Sequence, residues 1–345
     1  MKNKRTALHP YCRLGCALIL FAGIAPLPSL AAGTVAKAGA EGHRLLLVGP
    51  ERTLKLPSAA AKIARPGDRI MIDAGVYRDC AVWRTANITI EGVGGYAHVK
   101  DVTCHRKAIW VFYASPVRIS NVRFSGARVQ HRNGAGIRWE GSGRLTLRNT
   151  WFHNNQMGIL THNRHQSEMA ISDSRFEQNG DCPTFCGHGV YAGRIAYLSI
   201  TNSQFAGQKF GHHIKSRALV SNIIANRLLD GATGTASYAI NLPDSGTATI
   251  RNNYIEKGPL SDNVKAVIAI GEEGAHSRGG RFNPSRGIVI EKNVFQNNNR
   301  RKTNFVWNRG YDPVTLRGNK FGGPGVRYRG FGQNRANPVN STAAP

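Results

Sequence analysis

Candidate catalytic side chains cluster in two short segments between residues 187 and 217, each of which begins with glycine and histidine. The first segment, GHGVYA, contains His188 and Tyr191, and the second, GHHIKSR, contains His212, Lys215 and Arg217. A lysine or tyrosine can transfer protons, and an arginine can bind a carboxylate through two N–H donors. If the two segments are neighbouring strands in register, these five side chains lie on one wall. The pattern therefore predicts a site for an acidic ligand.

The charge balance points to a polyanionic partner. Lys and Arg number 46 against 20 Asp and Glu among 345 residues, which gives a formal net charge of +26. Nucleic acid, an anionic membrane surface and an acidic polysaccharide all carry the complementary charge. The alternative is that the charge serves only solubility.

The first residues predict export. Basic residues precede a short apolar run over residues 14–26, and small residues follow near position 31. This is the pattern of a signal peptide over residues 1–31, and its apolar run is too short for a transmembrane helix. We therefore expect a periplasmic or secreted protein with no membrane insertion, no nucleic-acid partner and an acidic polysaccharide as ligand. We expect it to be a monomer.

The cysteines are consistent with an oxidising compartment. Removal of the signal leaves Cys80, Cys104, Cys182 and Cys186. An even number in an exported chain predicts disulfides, and the simplest pairing joins Cys80 to Cys104 and Cys182 to Cys186. The alternative for the second pair is a partial zinc site with His188, completed by one of the histidines near residue 212. We favour the disulfide and predict a site without metal or cofactor.

An internal repeat gives the fold. The pattern is an aliphatic residue, any residue, Asn or Asp, two further residues and a large apolar residue, and it begins at Ile119, Leu147, Ile171, Ile200, Ile224 and Ile250. Two further copies, which begin at Ile290 and Leu316, have a different residue at the third position. The spacing is between 24 and 29 residues except for one interval of 40 residues. Short strands at this period predict one coil of a parallel β-helix per repeat, with Asn at a tight turn and Phe stacked inside. An antiparallel β-sandwich also has short strands, but it does not require this Asn–Phe register.

A second strand in each coil carries the candidate site. Its inward positions are predicted to be Ile137, Ile159, Val190, Ile214, Ile240, Ile268 and Val306. Strand alternation then points the next residue outward, at Arg138, Leu160, Tyr191, Lys215, Asn241, Ala269 and Trp307. This register places His188 and His212 inside, where they would be buried core histidines. A slip of one residue would reverse the assignment.

The domain prediction has four parts. The signal peptide is followed by a linker over residues 32–42, the β-helix over residues 43–321 and a weakly ordered tail over residues 322–345. Residues 57–64 are expected to form a short helix with Ser58 as N-cap, which would cover the first edge of the β-helix. The long interval is expected to hold an insertion over residues 271–286 beside the site.

The arrangement resembles the superfamily of right-handed parallel β-helix proteins that includes pectate-lyase-like enzymes. The resemblance covers roughly residues 45–321 and rests on the segment RPGDRI at 65–70, the turn AGVY at 74–77 and the eight Asn–Phe repeats. The segments GHGVY and GHHIKSRA are similar to blocks in exported bacterial β-helix proteins of unclear function. The fold class implied is all-β, a right-handed parallel β-helix solenoid with a short N-terminal capping helix.

The resemblance implies a reaction for the candidate residues. Members of the superfamily that cleave acidic polysaccharides use β-elimination, with a base that removes the proton α to the uronate carboxylate. Lys215 is the expected base, because neighbouring positive charge favours the neutral amine, and Arg217 the neutraliser of the carboxylate. Tyr191 or His188 would supply the acid, and His212 is a further catalytic candidate beside Lys215. Further substrate contacts are expected from His213, Tyr238, Asn241, His162, Arg138 and Glu272.

Three alternatives remain from the sequence. Hydrolysis needs two positioned carboxylates, and the predicted patch has none at its centre, with Glu272 and Glu273 on the insertion and Asp244 elsewhere. A uronate C5-epimerase shares the proton-abstraction step with a lyase. A non-catalytic β-helix that binds or organises polysaccharide accounts for the charge without any reaction, and Lys215 and Arg217 would then be solvated residues of a strand face.

Overall fold

A computed structural model describes residues 43–182, 186–273, 286–310 and 313–330. This part of the chain contains one helix and 29 strands. The helix is α1, Pro57–Ile63. The first strands are β1 Leu45–Val48, β2 Arg69–Tyr77, β3 Ala81–Trp83, β4 Ile88–Lys100, β5 Ala108–Phe112, β6 Val117–Ser120, β7 Val122–Ser125, β8 Ala135–Trp139, β9 Arg144–Arg148 and β10 Trp151–His153. The next are β11 Met157–Thr161, β12 Glu168–Ser172, β13 Arg175–Glu177, β14 Val190–Ala192, β15 Tyr197–Thr201, β16 Gln204–Ala206, β17 His212–Ser216, β18 Val220–Ile224, β19 Arg227–Leu229 and β20 Tyr238–Leu242. The last are β21 Thr247–Arg251, β22 Tyr254–Lys257, β23 Ala266–Ile270, β24 Ile288–Glu291, β25 Val294–Asn297, β26 Thr303–Asn308, β27 Val314–Arg317, β28 Lys320–Gly322 and β29 Gly325–Gly330.

The strands stack as a parallel β-helix with three faces. Within the described residues, one sheet has 19 strands and a second has ten. The 19-stranded sheet covers two faces, because the long strand β4 pairs with β6 on one face and with β7 on the next. The ten-stranded sheet, here called face 3, runs from β3 to β5 and then through every third strand to β29. The predicted parallel β-helix is therefore confirmed.

The repeat marks the turn between the first two faces. The turn residue has a φ between 47° and 60° in all eight coils, at Asn121, Asn149, Asp173, Asn202, Ala225, Asn252, Lys292 and Gly318. Asparagine tolerates this left-handed conformation better than most residues. The Asn149 amide also donates to Asn121 Oδ1 at 2.8 Å, which links successive coils. In the coil after Asn202 the predicted register is wrong by one residue, since Ile223 pairs with Ile200 and the turn residue is Ala225.

A second asparagine column follows the turn, inside the molecule. Asn226, Asn253 and Asn293 are at most 2% exposed. Each donates from Nδ2 to the Oδ1 of the next and to a carbonyl of the preceding coil. Buried amides need all of these partners, so this ladder holds the coils in register.

The core follows the predicted inward positions. The rings of Phe124, Phe152, Phe176 and Phe205 stack with centroids 4.6–5.0 Å apart. On face 3, Ile137, Ile159, Val190, Ile214, Ile240, Ile268 and Val306 are paired in one column and fully buried. Packing of this kind gives one continuous apolar interior along the solenoid.

The N-terminal end differs in detail from the prediction. Helix α1 begins at Pro57, with Leu56 at the N-cap and no side-chain cap. Proline at the first helical position has the required φ and lacks an N–H to satisfy. The backbone N–H of Ser58 instead donates to Asp79 Oδ2 at 2.8 Å. Ser58 is therefore a helical residue and not the cap.

The C-terminal end of the β-helix extends beyond the predicted limit. Strand β29 pairs with β26 and adds a coil after residue 321, where we expected a weakly ordered tail. Residues 331–345, the predicted signal peptide, the linker and most of the predicted insertion lie outside the described residues. The disulfides Cys80–Cys104 and Cys182–Cys186 are both present. The one described helix is too short to cross a membrane.

Candidate functional site

The candidate side chains meet in a cleft on the outer surface of face 3. We call it the central cleft and define it by Tyr191, Lys215, Arg217 and Glu273. It consists of two adjoining cavities of about 560 and 310 Å³ that share Tyr191, Arg217 and Glu273. Parallel pairing of β14 with β17 places Tyr191 directly beside Lys215, as the outward column predicts. Arg217 follows β17 by one residue, so all three side chains are positioned by these two adjacent coils.

A carboxylate is already bound between the two cations. Lys215 Nζ donates to Glu273 Oε1 at 2.6 Å, and Arg217 Nη2 donates to Glu273 Oε2. The side chains of Lys215 and Arg217 are only 12% and 13% exposed, while that of Glu273 is 42% exposed. Burial alone would raise the pKa of Glu273, but hydrogen bonds and charges from Lys215 and Arg217 outweigh it and hold this pKa below its ordinary value. The two cations thus form a clamp for both oxygens of one carboxylate.

The guanidinium of Arg217 has a fixed orientation. Arg217 Nε donates to Tyr191 Oη at 2.9 Å, and Nη1 donates to Asp244 Oδ1. Asp244 is buried and also accepts from Arg194 Nε at 2.9 Å. Burial lowers the pKa of Arg217, but Tyr191, Glu273 and Asp244 outweigh it and raise this pKa. Because Tyr191 Oη accepts from Arg217, the hydroxyl hydrogen of Tyr191 can be donated into the cleft.

His188 and His212 line the other side of the cleft, and their rings continue into a stack with Tyr238 behind it. The centroids of His188 and His212 are 4.7 Å apart, and those of His212 and Tyr238 are 5.0 Å apart. His188 Nδ1 accepts from the His212 backbone N–H at 3.0 Å, and His212 Nδ1 accepts from the Tyr238 backbone N–H at 3.2 Å. The neutral rings therefore carry their proton on Nε2. Burial, followed by neighbouring positive charge, lowers the pKa of both histidines well below the ordinary value. At neutral pH they are uncharged hydrogen-bond donors.

The placement of the histidines corrects the sequence prediction. His188 and His212 line the cleft instead of pointing inward. The alternation is shifted because two consecutive residues face the core where each of β14 and β17 begins. These are Gly189 and Val190 in one coil, and His213 and Ile214 in the next. A Cβ at Gly189 would lie 3.2 Å from Phe205 Cδ1, and His213 in the next coil is 1% exposed with its Nε2 2.7 Å from Asp230 Oδ1. His213 is therefore a core residue and not a substrate contact.

The other predicted contacts separate into two groups. Tyr238, Asn241 and Glu272 lie together behind the cleft, where Asn241 Nδ2 donates to Glu272 Oε1 at 2.8 Å. Burial, then the nearby Glu272 carboxylate, raises the pKa of Tyr238, and burial raises that of Glu272. His162 is exposed and does not line either cavity. Arg138 is outside the cleft and donates to Glu140 at 3.0 Å.

Two carboxylates stand where the sequence analysis placed none. Asp244 and Glu273 both contact Arg217 at the centre of the cleft. Asp244 lies two residues after the end of β20, in the coil that follows Arg217. Glu273 belongs to the start of the insertion, whose path no strand periodicity could give. Met157 also lines the cleft and was not singled out.

The described side chains of the cleft do not form a metal site. The described residues contain no group of three or more His, Cys, Asp and Glu side chains placed to hold a metal ion. Cys186 lines the cleft, but its sulfur is bonded to Cys182. A disulfide sulfur is not a thiolate ligand, so the zinc alternative does not fit this structure.

Comparisons with known proteins agree with the fold. Residues 63–322 match the family model described as "Periplasmic copper-binding protein (NosD)". The structure of pectate lyase Pel9A superposes with a TM-score of 0.64 at 14% identity, covering 88% of this chain and 81% of that chain. ORF18 of Geobacillus virus E2 superposes with a TM-score of 0.53 at 16% identity, covering 76% of this chain and 52% of that chain. No curated protein matches the sequence. The structural neighbours establish the pectate-lyase-like β-helix, and the match over residues 63–322 shows that the chain belongs to the NosD family.

Proposed function

We propose that this protein binds a uronate-containing polysaccharide in the central cleft and cleaves it by β-elimination. The observation that carries the proposal is the clamp of Lys215 and Arg217 on the Glu273 carboxylate. A substrate uronate presents the same group, and it would take the place of Glu273 between the two cations. Neutral Nε2–H donors of His188 and His212 line the same cavity and suit sugar hydroxyls.

The side chains account for each step of an elimination. Arg217 holds the substrate carboxylate and stabilises the negative charge that develops on it. Displacement of Glu273 breaks its hydrogen bond with Lys215, so that Lys215 Nζ can face the carbon next to the substrate carboxylate. Lys215 Nζ then takes the proton from the carbon α to the carboxylate. The C–H electron pair forms the new C=C bond, the bond to the glycosidic oxygen breaks, and the Tyr191 hydroxyl donates its proton to that oxygen.

The first test is a spectrophotometric screen of the full chain on a panel of polyuronates and glycosaminoglycans. Elimination leaves an unsaturated uronate end, which absorbs in the ultraviolet. We expect absorbance to rise on one polymer class and the rise to vanish in Lys215→Ala, while Lys320→Ala, a matched change on exposed β28, retains it. Turnover that persists in Lys215→Ala would contradict the assigned base.

A binding protein without catalysis is the second candidate. The ion pair between Lys215 and Glu273 gives this reading support, because a lysine base must first be released from it. In that case no polymer yields unsaturated ends, and affinity losses are graded over many basic residues. An epimerase would exchange the α proton in heavy water without forming unsaturated ends.

Copper is the ligand named in the family description, but the central cleft does not fit it. Copper ligation through Nε2 of His188 or His212 would move their protons to Nδ1, where each faces a backbone N–H donor. Lys215 adds positive charge beside both rings, and Arg217 adds more beside His188. These contacts disfavour a cation in the cleft.

A second histidine pair is equally unsuited. His98 and His153 have ring centroids 5.8 Å apart on the outer surface of the 19-stranded sheet. The Nε2 of His98 is bonded to Ser125 Oγ at 2.7 Å, and that of His153 accepts from Arg123 Nε at 2.8 Å. We expect only weak copper binding in calorimetric titration. Stoichiometric binding that is lost in His188→Gln/His212→Gln would contradict this.

We place the protein in the periplasm or outside the cell. The disulfides Cys80–Cys104 and Cys182–Cys186 and the family description support this location. Cleavage of the predicted signal over residues 1–31 would be read from the N-terminus of the protein purified after export.

A further inference from the structure

A second cleft lies on face 3 towards the C-terminal end of the solenoid. We call it the C-terminal cleft and define it by Lys265, Lys302, Trp307, Arg309 and Arg329. Its volume is about 800 Å³. Four of these five side chains are cations, and the described lining includes no Asp or Glu. Like charges repel at this proximity, so the arrangement favours an anionic ligand that neutralises them.

The fifth side chain provides a flat apolar surface among the charges. Trp307 is half-buried, and the guanidinium carbon of Arg309 lies 5.3 Å from its ring centroid. Arg329 pairs with Trp307 on the adjacent strand of the next coil. An indole ring packs against the apolar face of a planar or cyclic ligand, while cations beside it bind charged substituents. Sugar rings that carry acidic groups present both features.

The C-terminal cleft shares its outward column with the central cleft. Pairing runs from Lys215 to Asn241, then to Ala269 and Trp307. Three coil steps of about 4.8 Å give a separation of roughly 14 Å along the solenoid. Asn241 and Ala269 are fully buried, so the two clefts are separate cavities. One extended polymer chain lying parallel to the axis would meet both.

We propose that the C-terminal cleft is a second binding site for the acidic polysaccharide, with Trp307 as the stacking surface and the four cations as carboxylate contacts. This assignment rests on the proposed function of the central cleft for the identity of the ligand. Two sites on one chain raise the affinity for a long polymer above that of either site alone, because the second contact is intramolecular. The site therefore holds the polymer while the central cleft acts on it.

Tryptophan fluorescence isolates this site. Trp83, Trp110 and Trp139 are at most 1% exposed in the core, and Trp151 lies on the 19-stranded sheet. A uronate disaccharide, too short to span both clefts, should change the fluorescence of the full chain. The change should persist in Trp151→Phe and be absent in Trp307→Phe. A signal that persists in Trp307→Phe would overturn the proposal.

The same titration separates this proposal from the proposed function. In Arg217→Gln, which disables the central cleft, the Trp307 signal should remain. Its loss in that variant would refute an independent site. Conversely, a Trp307-dependent signal without any unsaturated product would refute the lyase and leave the second site in place.

Charge specificity is tested with matched double variants. Lys265→Gln/Lys302→Gln should weaken binding of a long polyuronate at least about tenfold, through loss of the intramolecular contact. Arg118→Gln/Lys320→Gln removes the same charge from exposed positions of the 19-stranded sheet and should change affinity less than about twofold. Equal losses in both would show only diffuse attraction and overturn the site. Tighter binding of a single-stranded oligonucleotide than of polyuronate at the same ionic strength would overturn the saccharide assignment.

Discussion

Glu273 occupies the position assigned to the substrate carboxylate, so its removal should improve ligand binding. The change is Glu273→Gln, which keeps the size of the side chain but removes its charge. In the native chain a ligand must first displace this carboxylate from Lys215 and Arg217. Without the internal competitor, the dissociation constant of a uronate disaccharide should fall.

The contacts set the size of this effect. A buried hydrogen bond to a charged group contributes about 1.5–3 kcal/mol, whereas an exposed ion pair contributes about 0.2–1 kcal/mol. Glu273 makes one contact to each cation and is 42% exposed, which is between these cases. A combined contribution of about 1–2 kcal/mol corresponds to a fall of about 5–30-fold in the dissociation constant. The free energy of unfolding should fall by a similar amount, since the two cations lose their partner.

Isothermal titration of the disaccharide at fixed ionic strength measures the first quantity, and urea unfolding the second. Glu168→Gln is the matched control, because Glu168 is 44% exposed and paired with Arg144 on the 19-stranded sheet. It should leave the dissociation constant unchanged. Unchanged or weaker disaccharide binding in Glu273→Gln would refute the view that the clamp binds the ligand carboxylate.

Three further outcomes follow from the described contacts. Arg217→Lys should weaken uronate binding at least about tenfold in the same titration, because lysine lacks the planar fork of donors; equal affinity would contradict two-point carboxylate binding. Asn253→Ala should lower the free energy of unfolding in urea by about 2–3 kcal/mol, because it breaks the buried asparagine ladder. Asn222→Ala, which removes a hydrogen bond near the surface, should lower this free energy by less than about 1 kcal/mol. Similar losses in the two variants would contradict the role of the ladder. Because the pKa values of His188 and His212 are lowered in the folded state, the unfolded chain binds more protons below about pH 6.5. As the pH falls below this value, the free energy of unfolding should therefore decrease by roughly 1 kcal/mol per pH unit for each histidine. Changing both histidines to Gln should flatten this slope in pH-dependent unfolding, and an unaltered slope would show that these rings are not kept neutral.

The solenoid was predictable because its repeat constrains every coil in the same way. A turn residue in the left-handed conformation, followed three positions later by a large apolar core residue, repeats at a period that only stacked coils explain. That register predicts Tyr191 beside Lys215, and the strand pairing agrees. The predicted register is wrong at Ala225 because three consecutive apolar residues, Ile223, Ile224 and Ala225, give no sign of a turn.

The site was predictable only in part, because two of its determinants are not periodic. Consecutive inward residues where β14 and β17 begin bring His188 and His212 to the cleft, and simple alternation cannot reveal such a shift. Glu273 reaches the cleft from a connection between coils, and its contact with Lys215 spans 58 residues of sequence. Side chains carried by such connections depend on the path of the chain, which hydrophobic patterning does not specify.

Carboxylate-directed elimination is tested by comparing an acidic polymer with its neutral counterpart. The full chain is incubated with a polyuronate and with the same polymer after chemical reduction of its carboxyl groups, and ultraviolet absorbance is followed. We expect unsaturated ends from the polyuronate alone, and none from either polymer with Lys215→Ala. Equal reaction of both polymers, or undiminished reaction of the variant, would contradict carboxylate-directed elimination in the central cleft.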